Sequence, residues 1–299
     1  MADGEAVTYA PGRAETRMER PHRAAPPFVR ELARYAILIV ASAIALYPVL
    51  WLVAAAMKTQ PEYIQNPTGL PHSINFTNFQ TVLGNHVLLR YVLNSAIVVG
   101  CAVPIVTVTS AMAGYSLARL WGKAGGTAIL FLFLFSEFVP IGIVAIPLLL
   151  TMQQLGIESG KVRLICVYSV LMMGFAVLVF RAFFRSVPEE LREAARLDGC
   201  SEFGVFWRIM VPLARSPMTL IAVISFIALW NELFLAVVLL NDATDRTLPL
   251  GLTELRGTYS TDWPTLAAAL LLSAVPTLVL YAVFQNKITS QLSRSTTRD

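Results

Sequence analysis

The sequence predicts an all-α, polytopic membrane protein with six transmembrane helices. Three observations predict this fold class: an apolar composition, six long runs with almost no charge, and positive charge concentrated in alternate connecting segments. Of the 299 residues, 56% are hydrophobic and 14% are charged, whereas soluble domains have about 45–50% and about 25%. A mean hydropathy of +0.63 excludes a disordered chain. Three scattered cysteines exclude a disulfide scaffold and a thiolate zinc cluster.

A helix needs about 20 apolar residues to cross about 30 Å of hydrocarbon, and six segments meet or approach that length. Each is expected to be helical, because lipid cannot bond free backbone N–H and C=O groups. The predicted spans are Tyr35–Met57, Tyr91–Ala118, Thr127–Leu150, Leu164–Phe180, Ser216–Leu240 and Trp263–Asn286. The fourth is short, and the third and fifth each contain one acid, Glu137 and Glu232.

Positive charge predicts the orientation of these spans, because short cytoplasmic segments retain Lys and Arg. One side holds 17 of these residues and the other holds six, so both termini are predicted to be cytoplasmic. We expect a flexible cytoplasmic tail over residues 1–33, a transmembrane domain over 34–288 and a cytoplasmic tail over 289–299. The first span is longer than a signal-peptide core, which favours an uncleaved anchor over a signal peptide.

The cytoplasmic segment from Arg181 to Arg215 is too polar for lipid yet is patterned like folded structure. Ser186 and Glu189 resemble a capping box, and Pro188 suits a first helical turn. Ion pairs are expected between Glu189 and Arg192 and between Glu193 and Arg196. Gly199 would end this helix. An amphipathic repeat predicts a second short helix that ends at Pro212, with an apolar face of Phe203, Phe206, Trp207 and Met210.

Two interpretations of this segment are open on physical grounds. In the first, the second helix lies in the headgroup layer with its aromatic face in lipid. In the second, the small face of Ala194 and Ala195 lets a partner backbone approach, so that the segment is a docking knob. Outside the membrane, one short helix is expected at Phe76 to Leu83. The external loops are either a surface for an external partner or simple connectors.

A resemblance to a known family comes from Glu193-Ala194-Ala195, Gly199 and the closing Ile209-Met210-Val211-Pro212 at their observed spacing. This pattern resembles the EAA signature of ATP-binding-cassette importer permeases. Further matching strings run from Tyr91 onward, among them Tyr115-Ser116-Leu117-Ala118-Arg119, Ser186-Val187-Pro188-Glu189-Glu190-Leu191, Trp230-Asn231-Glu232 and Arg246-Thr247-Leu248-Pro249. Together they are similar to the carbohydrate branch and its six-span, maltose-type permeases.

The resemblance implies a permease subunit in a bacterial plasma (inner) membrane that imports a sugar or oligosaccharide. Its implied partners are a second homologous permease, an ATPase dimer and an external solute-binding protein. The cytoplasmic loop at about 185–213 would carry the coupling helix that enters a cleft of the ATPase. The residues that match this contact are Glu193, Ala194, Ala195, Asp198 and Gly199. Val211, Cys200 and the Met172-Met173-Gly174-Phe175 string depart from the usual family pattern, where the fourth span often contains a proline.

No motif for catalysis by this chain was found. The sequence lacks G-x-x-x-x-G-K-[ST], H-E-x-x-H and G-x-S-x-G, and its histidines, His22, His72 and His86, lie outside the predicted spans. We therefore expect no enzyme activity, no metal and no cofactor in this chain, with ATP and Mg²⁺ on the partner ATPase. No aromatic-basic motif supports nucleic-acid binding, and the net charge of +4 is assigned to topology and lipid contact.

Ionisable and amide side chains inside the spans are candidates for the substrate path. Glu137 is expected to face protein or water, where it either contacts a sugar hydroxyl or holds a neighbouring helix. Asn231 and Glu232 either touch substrate or fix the fifth span, and Asn94 is a further candidate. Ser110 and Gly114, four residues apart, are expected to allow close helix packing.

Two other classes of function stay open at this point. An ion-coupled secondary transporter would usually show repeated halves with broken helices and coupling-ion carboxylates, and no duplication is evident in the sequence. A non-transporting membrane scaffold would bind partners without moving a solute.

Overall fold

The computed structural model describes residues 27–120, 122–255 and 261–296, and the regular elements in these ranges are helices. Most of the predicted N-terminal tail, the last three residues of the predicted C-terminal tail, His22 and Arg256 lie outside the described residues. By their contacts the residues divide into two units, residues 1–49 and residues 50–299.

The helices follow one another with short connections. In chain order they are α1 (Pro27–Ala56), α2 (Gln60–Gln65), α3 (Thr77–Gly84), α4 (His86–Arg119), α5 (Ala124–Phe138), α6 (Ile141–Gln154), α7 (Gly160–Leu171), α8 (Met173–Ser186), α9 (Glu189–Leu197), α10 (Glu202–Val205), α11 (Val211–Leu213), α12 (Arg215–Trp230), α13 (Phe234–Leu239), α14 (Leu248–Glu254) and α15 (Trp263–Thr296). A π-helical turn at Phe206–Met210 joins α10 to α11.

In the first unit the described residues belong to α1, which begins at Pro27, where the missing N–H of proline costs no helical bond. Its large apolar side chains, from Tyr35 to Val49, are mostly exposed, as expected of a helix whose solvent is lipid.

Among the described residues, three helices are long and apolar enough to cross a membrane, and three bent pairs would bring the number of spans to as many as six. The long helices contain the first, second and sixth predicted spans. The last of them, α15, continues to Thr296 and passes the predicted domain boundary at residue 288. The predicted short external helix is confirmed as α3, displaced by one residue.

The third predicted span is not continuous, because α5 and α6 meet at an angle of 106°. Pro140 explains the break. Proline disfavours helical geometry in the residue before it, and Val139 has an extended backbone with φ −81° and ψ 115°. The fourth span bends by 43° at Met172, and the fifth predicted segment is divided at Asn231–Leu233, between α12 and α13. A 76° bend separates α12 from the preceding Glu202–Leu213 segment.

The core of the second unit is built around α4, which packs along α8, α7 and α12. Gly114 allows the closest of these approaches: a Cβ atom there would lie 2.6 Å from the Phe180 Cβ atom and 2.9 Å from the Arg181 nitrogen. The expectation that Gly114 permits close packing is therefore confirmed. Ser110, one turn earlier, is fully buried.

We predict that Gly114→Ala lowers the free energy of unfolding by about 1–3 kcal/mol, because the added methyl meets the backbone of α8 and neither helix yields easily. Gly100→Ala in the same helix is the matched control, since nothing lies within 4 Å of its added Cβ. It should be neutral or more stable by up to about 1 kcal/mol. Thermal unfolding of the purified variants in detergent measures both changes. Equal unfolding temperatures would contradict the packing described here.

Candidate functional site

The predicted cytoplasmic loop forms two short helices, α9 and α10, joined by a tight turn. Helix α9 begins at Glu189, after Pro188. The predicted capping box is wrong, because Ser186 is the last residue of α8 and its hydroxyl donates to the Phe183 carbonyl at 2.7 Å. The short Val187-Pro188 connection keeps Ser186 in the preceding helix, so it cannot reach the first turn of α9.

Gly199 ends α9 as predicted. Its φ of +82° lies in the left-handed region that favours glycine. The Gly199 N–H donates to the Arg196 carbonyl and the Cys200 N–H to the Ala195 carbonyl, each at 3.0 Å. These two bonds form a Schellman motif, which satisfies carbonyls at the helix end and fixes the direction of the following chain.

The two adjacent alanines of α9 differ in burial. Ala195 is buried against the apolar cluster around Phe180, Phe206 and Met210, whereas Ala194 is exposed. Ala195 therefore attaches α9 to its own chain. The outward side carries Glu190, Leu191, Glu193, Ala194, Leu197 and Asp198. Leu197 is 89% exposed.

The second short helix differs from the continuous amphipathic helix that the sequence predicts. Phe206–Met210 forms a π-helical turn, and the helix ends at Leu213 rather than at Pro212. Proline cannot donate to the carbonyl four residues before it, and a π turn adapts the backbone at such a position. The wider turn divides the predicted apolar face. Phe206 and Met210 are buried, whereas Phe203 is 65% exposed and Trp207 39% exposed.

Glu202, at the start of α10, joins α9 to the C-terminal end of α4. Its carboxylate pairs with Arg119 at 2.6 Å, pairs with Arg196, and accepts a hydrogen bond from the Tyr115 hydroxyl at 3.3 Å. The predicted pair between Glu189 and Arg192 is confirmed. The predicted pair between Glu193 and Arg196 is not present in the described part of the chain, because Arg196 turns to Glu202 instead.

Glu137 lies at the end of α5, next to the bend of the fourth span. The Phe175 N–H donates to the Glu137 Oε1 atom at 2.9 Å, which satisfies one of the free N–H groups at the start of α8. Gly174 makes this contact possible, since a Cβ there would overlap the Glu137 carboxylate. Gly174 thus gives α5 access to the start of α8.

Glu232 performs a similar function where the fifth span is divided. Its Oε1 atom accepts from the Leu235 N–H at 2.8 Å, and its Oε2 atom accepts from the Ala236 N–H at 3.3 Å. The buried Tyr168 hydroxyl of α7 donates to the same Oε2 atom at 2.7 Å. Glu232 therefore caps α13 and ties it to α7.

The two asparagine candidates have different surroundings. Asn94 is buried, and its Nδ2 atom donates to the carbonyls of Thr244 and Arg246 at 2.8 and 2.9 Å, which holds the loop between α13 and α14 to α4. Asn231 is exposed and donates to the Ile227 carbonyl at 2.7 Å. It lines a cavity of about 300 Å³, with Thr253 and Ser273 among its other polar residues.

Sequence reasoning missed three residues of these networks as functional candidates. They are Glu202, its partner Tyr115, and Tyr168, which is the partner of Glu232. Tyr115 is separated by 87 positions from Glu202, and Tyr168 by 64 positions from Glu232. No local motif encodes such contacts. The sequence signal that could have found Glu202 was an acidic residue at the start of the second short helix, close to the clustered arginines of the predicted cytoplasmic loop.

Comparisons with known proteins agree on one family. Residues 83–290 match the family described as "Binding-protein-dependent transport system inner membrane component". The chain is 32% identical over 266 residues to the diacetylchitobiose uptake system permease protein NgcG of Streptomyces coelicolor, covering 88% of each chain. It is 29% identical over 249 residues to the sulfoquinovosyl glycerol transport system permease protein SmoH of Agrobacterium fabrum, covering 83% of this chain and 87% of that protein.

Among solved structures, the fold is similar to a chain of a bacterial ABC transporter involved in the import of the acidic polysaccharide alginate. The TM-score is 0.77 at 20% identity, over 89% of this chain and 99% of that chain. At this identity the comparison shows a shared fold.

We predict that Glu232→Gln destabilises the protein by about 1–3 kcal/mol. The amide nitrogen of glutamine cannot accept a hydrogen bond, so at least one donor among Tyr168, Leu235 and Ala236 loses its partner on Glu232. Thermal unfolding of the purified protein in detergent measures the effect.

Tyr168→Phe is the control for this change, because it removes one donor and leaves both backbone bonds to Glu232 in place. It should cost less than Glu232→Gln, and the double variant should show a non-additive effect, as expected of residues in one network. An unfolding temperature unchanged by Glu232→Gln would show that Glu232 does not cap α13.

Proposed function

The chain belongs to the family of binding-protein-dependent transport system inner membrane components, and on this premise we propose that it forms half of the translocation path of an ATP-driven sugar importer. Members of this family are transport subunits of the inner membrane rather than enzymes, which favours the importer over an ion-coupled transporter or a scaffold. Relatives named for diacetylchitobiose uptake and for sulfoquinovosyl glycerol transport support a glycoside or short oligosaccharide as the substrate.

We propose that the outward side of α9 docks on the ATPase. The observation that carries this proposal is the exposure of Leu197 beside Ala194, on a helix that is otherwise anchored to its own chain through Ala195. A large apolar side chain at 89% exposure, next to a small residue, is typical of a surface that a partner covers. Glu193 and Asp198 give the same surface acidic groups for basic residues of the partner.

The remaining partners follow from the family. The second half of the path would come from a homologous permease, and a solute-binding protein would deliver the sugar from outside. One related structure is described as an alginate transporter in complex with a pentasaccharide-bound periplasmic protein. ATP and Mg²⁺ would bind to the ATPase dimer. We propose that both termini are cytoplasmic, because Lys and Arg are in excess on the same predicted side as α9.

The substrate-path candidates divide into two groups. We propose that Glu137, Glu232 and Asn94 mainly position helices and the external loop, because their polar atoms bond within the chain. Asn231 is the better candidate for sugar contact, because it is exposed and lines a cavity together with Thr253 and Ser273. Amide and hydroxyl groups are suitable partners for sugar hydroxyls.

We predict that Leu197→Asp removes binding to the ATPase without unfolding the permease. Leu197 has few contacts to lose within its own chain, whereas a charge at the centre of an apolar contact is costly to bury. The measurement is the amount of ATPase that co-purifies with the tagged permease after co-expression of the complete transporter.

Leu70→Asp is the matched control. Leu70 is 83% exposed and belongs to the loop between the first and second spans, on the opposite side of the membrane from α9. This variant should retain the ATPase fully. Full retention of the ATPase by Leu197→Asp would show that α9 is not the docking surface.

A further inference from the structure

The docking helix needs a firm attachment to the transmembrane helices if movement of an ATPase is to reach them. One attachment is apolar: Ala195 of α9 and Phe206 of the π turn pack with Phe180 and Phe184 of α8. Tyr115 of α4 completes this cluster, with its ring centroid 5.5 Å from those of Phe184 and Phe206. A single apolar contact holds two bodies together but resists rotation poorly, because the hydrophobic effect is not directional.

A second attachment lies on the polar side of the same helices. The Glu202 carboxylate interacts with two separate elements. It forms ion pairs with Arg196 at the end of α9 and with Arg119 at the inner end of α4, and it accepts a hydrogen bond from Tyr115 of α4. The Arg119 guanidinium also lies over the Tyr115 ring, 5.7 Å from its centroid. Charged hydrogen bonds have directional preferences that apolar contacts lack. The two attachments together therefore fix both the position and the rotation of α9.

We propose that Glu202 is a positioning residue for ATPase coupling, which transmits movement of α9 to the inner ends of α4 and α8. Tyr115 links the two attachments, since its ring belongs to the apolar cluster and its hydroxyl to the carboxylate. The close contact at Gly114, one residue away, makes α4 and α8 move together at this level.

This network is partly exposed, with the Glu202 side chain at 37% and that of Arg119 at 35%. Exposed ion pairs contribute little to stability. Loss of Glu202 should therefore change coupling far more than folding, which separates a positioning role from a purely structural one. The inference rests on the proposed function, because it assumes that an ATPase moves α9.

The test uses the complete transporter, reconstituted in lipid vesicles, with the three native cysteines replaced and Thr253→Cys introduced beside the outer cavity. The rate at which a membrane-impermeant maleimide labels this cysteine measures how accessible the outer cavity is from outside the vesicle. ATP with orthovanadate should change that rate about fivefold or more in the parent, as expected of ordinary allosteric coupling. In Glu202→Gln the change should fall below about twofold, while the ATPase remains bound.

Glu158→Gln is the matched control, because Glu158 is exposed in an external loop and forms no ion pair in the described part of the chain. It should respond like the parent. Tyr115→Phe removes only one donor and should give an intermediate response. If Glu202→Gln fails to assemble with the ATPase, Tyr115→Phe decides: a reduced response supports the proposal and a full response overturns it.

A full response in an assembled Glu202→Gln complex would also overturn the proposal. If instead the parent itself binds no ATPase or shows no response to ATP, the proposed importer function fails. The two failures are therefore distinguishable.

Discussion

The structure depends on one constraint: a helix interrupted within lipid exposes backbone N–H groups that have no water to bond. At two of the interruptions the chain meets this constraint in part with a glutamate. Glu137 bonds the start of α8, and Glu232 bonds the start of α13 and the Tyr168 hydroxyl. These acids accept hydrogen bonds from three backbone N–H groups where the fourth and fifth spans change direction. The bent spans are thus stable elements of the fold.

Glu202 extends the same use of a carboxylate to the segment that follows α9. Here the donors are side chains instead of backbone groups, and they join α9 to the transmembrane helix α4. The apolar cluster around Tyr115 lies directly behind these bonds. Movement of a partner that holds the outward side of α9 would therefore reach α4 and α8 through two contacts of different character. This arrangement is suited to the rigid-body movements expected of an ATP-driven importer.

Periodicity and composition were sufficient to predict the helical class, the six apolar segments and the end of α9 at Gly199, because each depends on neighbouring residues. The family signature pointed to the segment that folds as α9 and α10, and its docking role stays a prediction. Two local predictions were wrong, because one residue of each has a competing partner. Ser186 bonds the Phe183 carbonyl instead of capping α9, and Arg196 pairs with Glu202 instead of Glu193. Local patterns suggested no 106° break between α5 and α6, although Pro140 explains it. The contacts of Glu137, Glu202 and Glu232 join distant segments and required the folded chain.

The central claim is that α9 is a rigid projection whose outward side is held by the ATPase. A cryo-EM structure of the complete transporter, with ATP analogue and sugar-loaded binding protein, tests this claim most directly. We expect Glu193, Ala194 and Leu197 to lie in a cleft of the ATPase, with Glu202 still paired to Arg119 and Arg196. A structure in which α9 lies along the lipid headgroups and touches no neighbouring chain would contradict the account.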